Sequence, residues 1–327
     1  MIQNLISLNR LAVVLITLTT FNLTACGSQA NQESQLPSSA VTPTPTISPS
    51  TNFIPETATT QARAVTCSEA GDRATLQSIL TKMGQPSLPV DRIARFGGAA
   101  NGQRCITELN LFGKKLSGEI SAQVAELTNL RELDLSGNSL TGTIPPQLGT
   151  LSNLTKLSLD GNQLTGQIPP ELATLTNLQR LNLGGNRLTG AIPTQLNKLT
   201  NLSILQLDRN RLSGTIPPEL GQLTNLTVLF LHQNQLNGTI PASLGNIRGL
   251  RQLSLFGNQL TGTVPSELGN LTQLAQLTLR DNQLTGQIPG SFANLKNTDV
   301  DISGNQGLCI PTTLNSARWF KSGLACP

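Results

Sequence analysis

Three side chains of the kinds used in hydrolysis fall close together in the repetitive middle of the chain. His232 is the only histidine, Asp208 precedes it by 24 residues, and Ser254 follows it by 22 residues. A hydroxyl, an imidazole and a carboxylate in mutual contact form a Ser–His–Asp relay. However, no nucleophile elbow surrounds Ser254, and an open sheet excludes little water. The pattern therefore favours His232 as a contact residue, and a hydrolase built on these three residues is the less favoured reading.

The same region carries apolar residues at positions predicted to face outward. Together with the charged residues around them, they are Ile204, Val228, Phe230, His232, Phe256, Asp208, Arg209 and Arg280. An aromatic centre with a charged rim is typical of a binding surface. Single apolar residues are also ordinary on protein surfaces, and a neighbouring loop can cover them, so both interpretations stay open. We predict a ligand-binding site at these eight residues, with no cofactor and no metal.

A pattern that returns every 24 residues sets these positions. Its most regular member is an asparagine in the frame L-x-x-L-x-L-x-x-N-x-L-x-G-x-[I/V]-P. The asparagines are Asn138, Asn162, Asn186, Asn210, Asn234, Asn258 and Asn282. Leu133 and Leu135 stand two residues apart, so in an extended segment they point to one side while Asp134 points to the other. Parallel stacking of such segments predicts one leucine core and an asparagine ladder that satisfies backbone groups at the bend.

The fold predicted from this frame is an α/β repeat solenoid. It is a right-handed superhelix with a parallel β-sheet on the concave face, short 3-10 or helical segments on the convex face, and a cap at each end. Gly142 and Pro145, with their equivalents, permit tight turns and prevent long helices. About nine coils are expected over residues 106–308, seven of them regular. The first coil has Lys114 in place of the asparagine, and Asn305 comes 23 residues after Asn282.

The half-repeat L-x-G-x-[I/V]-P resembles the plant-specific subclass of leucine-rich repeats, which is found in receptor kinases and in secreted polygalacturonase-inhibiting proteins. The resemblance implies a second, minor strand at L-x-G-x-I beside the main one. It also implies an alternative function, the inhibition of a secreted hydrolase.

The amino terminus predicts export. Within residues 1–25, Arg10 is followed by an apolar run of about a dozen residues, shorter than the ~20 residues of a membrane span. The run ends in LTAC at Cys26, which resembles the lipobox of bacterial lipoproteins and implies a lipidated Cys26 that anchors the protein to the bacterial membrane surface. The alternative is an ordinary signal peptide and a secreted protein. Residues 26–62 are rich in Ser, Thr and Pro and are expected to form a disordered tether.

Caps are predicted at residues 63–105 and 309–327, because a solenoid exposes its core at each end. An amphipathic helix is predicted in the front cap from the spacing of Leu76, Ile79, Leu80 and Met83. Phe112, in the first coil, is expected to be covered by this cap. In the rear cap, Trp319 and Phe320 are expected to cover the last coil.

Four cysteines remain besides Cys26. They are Cys67 and Cys105 beside the front cap, and Cys309 and Cys326 in the rear cap. An even number in an exported chain indicates two disulfides, and of the three possible pairings proximity favours Cys67–Cys105 and Cys309–Cys326. A metal site is disfavoured because the chain has one histidine.

Composition points away from several function classes. The 22 Lys and Arg residues and 18 Asp and Glu residues are dispersed along the coils, unlike the basic stripe of a nucleic-acid-binding protein. The sequence contains no Walker loop, zinc-protease helix or dinucleotide fingerprint. It therefore predicts a non-catalytic, surface-anchored module that binds an extracytoplasmic protein, peptide or glycan on its concave face.

Overall fold

In a computed structural model of the chain, the residues whose structure is described are 67–98, 102–314 and 324–325. Cys26, the predicted tether and the aromatic residues expected in the rear cap lie outside these ranges. None of the helices in the described ranges is long and apolar enough to cross a membrane.

Short strands account for most of the regular structure. In chain order they are β1 Ala94–Gly98, β2 Arg104–Asn110, β3 Ser117–Glu119, β4 Glu132–Asp134, β5 Ser139–Thr141, β6 Lys156–Ser158, β7 Arg180–Asn182, β8 Thr189–Gly190, β9 Ile204–Gln206, β10 Arg211–Thr215, β11 Val228–Phe230, β12 Gln235–Thr239, β13 Gln252–Ser254, β14 Gln259–Gly262, β15 Gln276–Thr278, β16 Gln283–Gln287, β17 Asp299–Asp301, β18 Gly307–Ile310 and β19 Leu324–Ala325.

The main sheet has ten strands in the order β1-β2-β4-β6-β7-β9-β11-β13-β15-β17. The nine strands from β2 to β17 pair in parallel, and each residue lies beside its equivalent in the next coil, as Leu229 does beside Leu205 and Leu253. These strands correspond to the nine coils predicted from the 24-residue period. The aligned apolar residue of each strand, leucine in the first eight and Val300 in β17, is buried, and one hydrophobic core runs along the solenoid.

The asparagine column forms a hydrogen-bonded ladder inside this core. Asn210 accepts the Leu188 N–H at Oδ1, and its Nδ2 donates to the carbonyls of Leu183, Leu207 and Asp208 at 3.0 to 3.1 Å. Each asparagine thus ties its own coil to the preceding one. Bonds of this kind satisfy backbone groups that would otherwise be buried without partners at the bend.

A second parallel sheet follows the L-x-G-x-I segments, in the order β19-β18-β16-β14-β12-β10-β8, and β3 pairs separately with β5. The minor strand implied by the resemblance is therefore present. Its glycine column is needed for close packing: Gly238 has a φ of 72°, and a Cβ there would lie 2.9 Å from Cγ2 of Thr215 in the preceding coil.

The convex face consists of 3-10 helices, one per coil, which begin just after the prolines of the frame. Those described are Ala122–Glu126, Pro146–Thr150, Pro170–Thr174, Thr194–Lys198, Pro218–Gln222, Ala242–Asn246, Ser266–Asn270, Gly290–Asn294 and, at the rear, Thr312–Leu314. Pro145 and its equivalents are extended and cap these helices. The fold is the solenoid that the sequence predicts.

The front end is closed by two helices and a strand. Helix α1, Glu69–Lys82, begins at Ser68, whose Oγ accepts the Gly71 N–H, and its buried residues pack on the first coil. Helix α2, Val90–Ile93, leads into β1, which pairs antiparallel with β2. Helix α1 was predicted from the sequence, whereas α2 and β1 were not.

The disulfides fit this arrangement. Cys67 is bonded to Cys105, which joins the start of α1 to β2. Cys309 is also disulfide-bonded, and its predicted partner, Cys326, lies outside the described residues.

The expected covering of Phe112 is wrong. Its ring is 62% exposed, the most exposed large apolar side chain in the described ranges, and it lies over Gly137 of the next coil. The cap packs on the leucine core at the end of the solenoid, so it leaves this turn of the first coil open.

Candidate ligand-binding site

Seven of the eight predicted site residues occupy three columns on the concave face, and the eighth, Arg209, lies in the turn after Asp208. Ile204 and Val228 begin adjacent strands and pair directly. Phe230 ends β11 and lies between Gln206 and Ser254 in the neighbouring strands. The third column, just beyond the strands, consists of Asp208, His232, Phe256 and Arg280 in four successive coils.

The third column is a continuous stack of side chains. The rings of His232 and Phe256 are parallel, with centroids 4.4 Å apart and planes 17° apart. Cζ of Arg280 lies 4.6 Å from the centre of the Phe256 ring, and Phe230 meets His232 edge-on at 5.6 Å. At the other end, His232 Nε2 is 3.5 Å from Asp208 Oδ2. Ring stacking and the cation over the aromatic face hold this wall in one arrangement.

The outward exposure predicted for His232 is wrong. Its side chain lines the concave recess, yet the residue is only 8% exposed, because Phe256 stacks on its ring, Phe230 packs against it edge-on and Asp208 contacts Nε2. Ile204, Val228, Phe230 and Phe256 are half-buried, and Asp208 is too. Arg209 and Arg280 are exposed at the rim. The exposed apolar area on the concave face is therefore smaller than the sequence predicts.

Burial also sets the charge of this histidine. Desolvation lowers the pKa of His232, and the positive charges of Arg209 and Arg280 lower it further, whereas the negative charge of Asp208 raises it. The net direction is downward, so the imidazole is neutral at neutral pH. Its Nδ1 is buried and has no hydrogen-bond partner within the described residues.

The Ser–His–Asp relay is not assembled in this arrangement. Ser254 pairs in register with Phe230, not with His232. Nε2 of His232 is directed at Asp208, and Nδ1, the nitrogen left for a serine, has no partner in the described part of the chain. Asp208 and His232 are brought together as predicted, whereas Ser254 has a different environment.

Ser254 lies on the floor of a recess of about 290 Å³ beside the stack. Ser254 and Thr278, which follow Phe230 in the middle column, are buried at the bottom. Phe230 and Phe256 line its sides, and Asp299 and Asp301 of the last strand line its far end. This recess was not predicted from the sequence. The available signal was the drop from Phe230 to small hydroxyl residues in the next two coils.

The backbone is unusual at the same coils. The residue before each ladder asparagine has a positive φ, and it is glycine in most coils, such as Gly161 and Gly257. Arg209, Gln233 and Asp281 adopt φ values of 52° to 53° at this position. A left-handed non-glycine residue costs roughly 1–2 kcal/mol, and such strain is concentrated at functional sites. Three coils that contribute to the stack thus have a non-glycine residue at a position where glycine is less strained. Two of these residues also contact each other, since Arg209 Nε donates to Gln233 Oε1 at 3.1 Å.

The repeats match known families. Residues 107–259 match the family described as leucine-rich repeat region, and residues 249–271 and 273–295 match the family Leucine Rich Repeat. With the two sheets and the asparagine ladder, these matches define the class of the protein as a leucine-rich repeat solenoid. The chain is a leucine-rich repeat protein of the plant type. No curated protein matches it.

Solved structures with the same fold include plant receptor ectodomains. The ectodomain of the Arabidopsis thaliana receptor kinase GASSHO1/SCHENGEN3, in complex with CASPARIAN STRIP INTEGRITY FACTOR 2, is 36% identical over 77% of this chain and 35% of its own, with a TM-score of 0.63. That of the Arabidopsis receptor kinase HAESA, in complex with an IDA peptide hormone, is 30% identical over 77% of this chain and 44% of its own, with a TM-score of 0.66. The plant peptide hormone receptor RGFR1, in complex with RGF2, is 38% identical over 60% of this chain and 31% of its own, with a TM-score of 0.57. The chain spans less than half of the length of each of these ectodomains.

Proposed function

We propose that the concave face around Phe230 and Phe256 binds an extended segment of a peptide or protein, without catalysis. The observation that carries this proposal is the stack of His232, Phe256 and Arg280 beside a recess. Half-buried aromatic side chains surrounded by charged ones are the usual centre of a protein-binding surface. Because the stack is already formed, little side-chain entropy is lost when a ligand binds to it.

A peptide suits this surface better than a glycan. Sugars bind aromatic side chains mainly by stacking on the flat face of a ring. Both faces of Phe256 are already covered, one by His232 and the other by Arg280. The ring edges that remain suit apolar side chains. The HAESA ectodomain in complex with an IDA peptide hormone and the plant peptide hormone receptor RGFR1 in complex with RGF2 share the fold, and this supports a peptide partner here.

The test is selection of a displayed random-peptide library on the mature chain. We expect binders whose affinity falls at least about tenfold in the variant Phe230→Ala with Phe256→Ala. Phe112→Ala is the matched control, because Phe112 is exposed but lies in the first coil. Equal binding to the double variant and the wild type, with both folded, would overturn the proposal. A large fall in the melting temperature of the double variant would instead show that the two rings serve the core.

Where the protein acts is a separate proposal. The LTAC sequence at Cys26 supports export and attachment to a bacterial membrane surface by a lipidated cysteine. Metabolic labelling with a fatty-acid analogue is expected to mark the wild type and not Cys26→Ala. Label retained by the variant would favour an unanchored, secreted protein. Inhibition of a secreted hydrolase rests on the family resemblance alone and stays a prediction.

A further inference from the structure

The recess between Phe256 and Asp301 has a chemistry that selects among peptides. We infer that it receives the side chain of a lysine or arginine in the bound peptide, with the aliphatic stem against the aromatic edges and the cationic end toward the last strand. This inference rests on the proposed function, since it names the residue class that the same concave site recognises.

The shape of the recess follows from one column of the sheet. Phe230 stands at one end of it, and the equivalent residues of the next two coils are the small Ser254 and Thr278. The resulting space of about 290 Å³ is open to the concave face and extends to Asp301 in the last coil. A long, narrow side chain fits a space bounded by one ring and floored by two small residues.

The floor offers hydrogen-bonding groups that the protein itself does not use. Ser254 is 7% exposed and Thr278 is 8% exposed, so more than nine-tenths of each is buried. Their backbone carbonyls accept the Leu231 and Leu255 N–H groups, while the two hydroxyls make no hydrogen bond within the described ranges. Neither hydroxyl oxygen is among the fully buried atoms that lack a partner, so water reaches both from the recess, and a polar ligand group there would replace that water with direct bonds.

The Phe256 wall of the recess is apolar but offers no ring face. Phe256 has His232 against one face and Arg280 against the other, and Phe230 approaches His232 edge-on. A flat aromatic or sugar ring therefore has no free face of Phe256 to stack on. The methylene groups of a lysine or arginine need only the ring edges, because such stems pack along apolar surface while the charged end reaches polar groups.

The charges at the recess favour a cation. Asp301 accepts both the Ser303 N–H and the Ser303 hydroxyl at Oδ1, which leaves Oδ2 for a ligand. Asp299 lines the same end. Among the described residues that line the recess, the one cationic side chain is that of Arg280; it is directed at the Phe256 ring, and its Nε lies 3.7 Å from Asp281 Oδ2. The Asp301 carboxylate thus faces a guanidinium that already has an acidic neighbour.

The histidine does not reverse this balance. His232 is neutral at neutral pH, and Asp208 lies on its far side from Phe256. An acidic ligand residue would approach Asp301 with like charge, which opposes binding. A purely apolar residue would leave the hydroxyls of Ser254 and Thr278 without partners.

The test uses synthetic peptides derived from the library binders, each with one position changed among lysine, norleucine, alanine and glutamate. We expect one position at which lysine or arginine is selected, and at which norleucine, of similar length without the charge, binds at least about tenfold more weakly. Asp301→Asn should remove this preference, since the amide keeps the Oδ1 acceptor for Ser303 but loses the charge. Asp134→Asn is the matched control, because Asp134 Oδ1 accepts the Ser136 N–H and hydroxyl in the same way and Asp134 does not line the recess.

A charge swap completes the design. Asp301→Lys is expected to reject the lysine peptide and to favour its glutamate counterpart. If peptides bind in a manner that depends on Phe256 but show no basic preference that Asp301→Asn abolishes, the inference fails and the proposed function stands. If no library peptide binds in a manner that depends on Phe256, both fail.

Discussion

The imidazole of His232 lies flat against the ring of Phe256, with ring centroids 4.4 Å apart. The two residues belong to neighbouring coils, and Asp208 and Arg280 extend the contact by one coil on each side. Adjacent strands are ~4.8 Å apart, which is close to the stacking distance of flat groups. The coil spacing thus allows a one-residue-per-coil column to become a continuous wall.

The buried histidine makes stability depend on pH. Because burial lowers the pKa of His232 below its ordinary value of 6.5, the unfolded chain binds this proton at a pH where the folded chain does not. Its contribution to the free energy of unfolding is therefore complete above about pH 6.5 and is lost as the pH falls through the lower, folded pKa. Urea unfolding at a series of pH values should show a shallower acid loss in His232→Phe, which keeps a ring on Phe256 without titrating. Identical slopes for both proteins would contradict this.

Removal of one ladder asparagine should be costly. Asn210→Ala deletes four hydrogen bonds and leaves buried backbone groups without partners, at about 1–3 kcal/mol for each unsatisfied group. We expect the free energy of unfolding to fall by about 3 kcal/mol or more in chemical denaturation. Asn201→Ala is the control, since its exposed amide donates a single bond, to the Thr176 carbonyl, and should cost about 1 kcal/mol or less. Similar losses in the two variants would argue against the ladder as a major source of stability.

Close packing of the convex helices gives a third prediction. A Cβ at Gly245 would lie 2.3 Å from the backbone carbonyl oxygen of Glu267 in the next coil, whereas one at Gly290 would meet nothing within 4 Å. Gly245→Ala should therefore destabilise the protein by about 2 kcal/mol or more, because neither backbone can move without disturbing the stack. Gly290→Ala should change stability by less than about 1 kcal/mol. Thermal unfolding of the two variants separates these outcomes, and a tolerant Gly245 would show that coil spacing is adjustable.

The front disulfide should protect the cap. Cys67 and Cys105 are separated by 38 residues, and a cross-link over such a loop contributes about 4 kcal/mol on the chain-entropy account. In the variant Cys67→Ala with Cys105→Ala, hydrogen exchange is expected to accelerate in α1, because the helix can then open without the first coil. Amides of the central coils, such as that of Leu229, serve as the internal reference. Unchanged protection of α1 would mean that its apolar packing suffices.

Much of the fold was predictable because the period fixes geometry. An unbroken spacing of 24 residues places Leu205, Leu229 and Leu253 side by side, and it places Asp208 next to His232. The burial of His232 was not predictable, because it depends on how the Phe256 and Asp208 side chains pack against it. A period determines which residues share a column, and the rotamers of neighbours determine what remains exposed.

The cap illustrates the opposite case. Strand β1 has the sequence ARFGG, which has neither the repeat frame nor a clear alternation, and it is defined by its antiparallel pairing with β2. The end of helix α1 likewise does not determine where Phe112 points. A segment that occurs once in a chain has no equivalent elsewhere in the sequence from which its strand register could be predicted.

The asparagine ladder has a consequence for how such a protein changes over generations. Every side-chain bond of Asn210 ends within its own coil or the one before it. A duplication or deletion of one whole 24-residue block therefore creates no new kind of contact and leaves both terminal interfaces intact. Gene segments of this size can lengthen or shorten the concave surface in single steps, and a recess lined by four adjacent coils is altered when any one of them is duplicated or deleted.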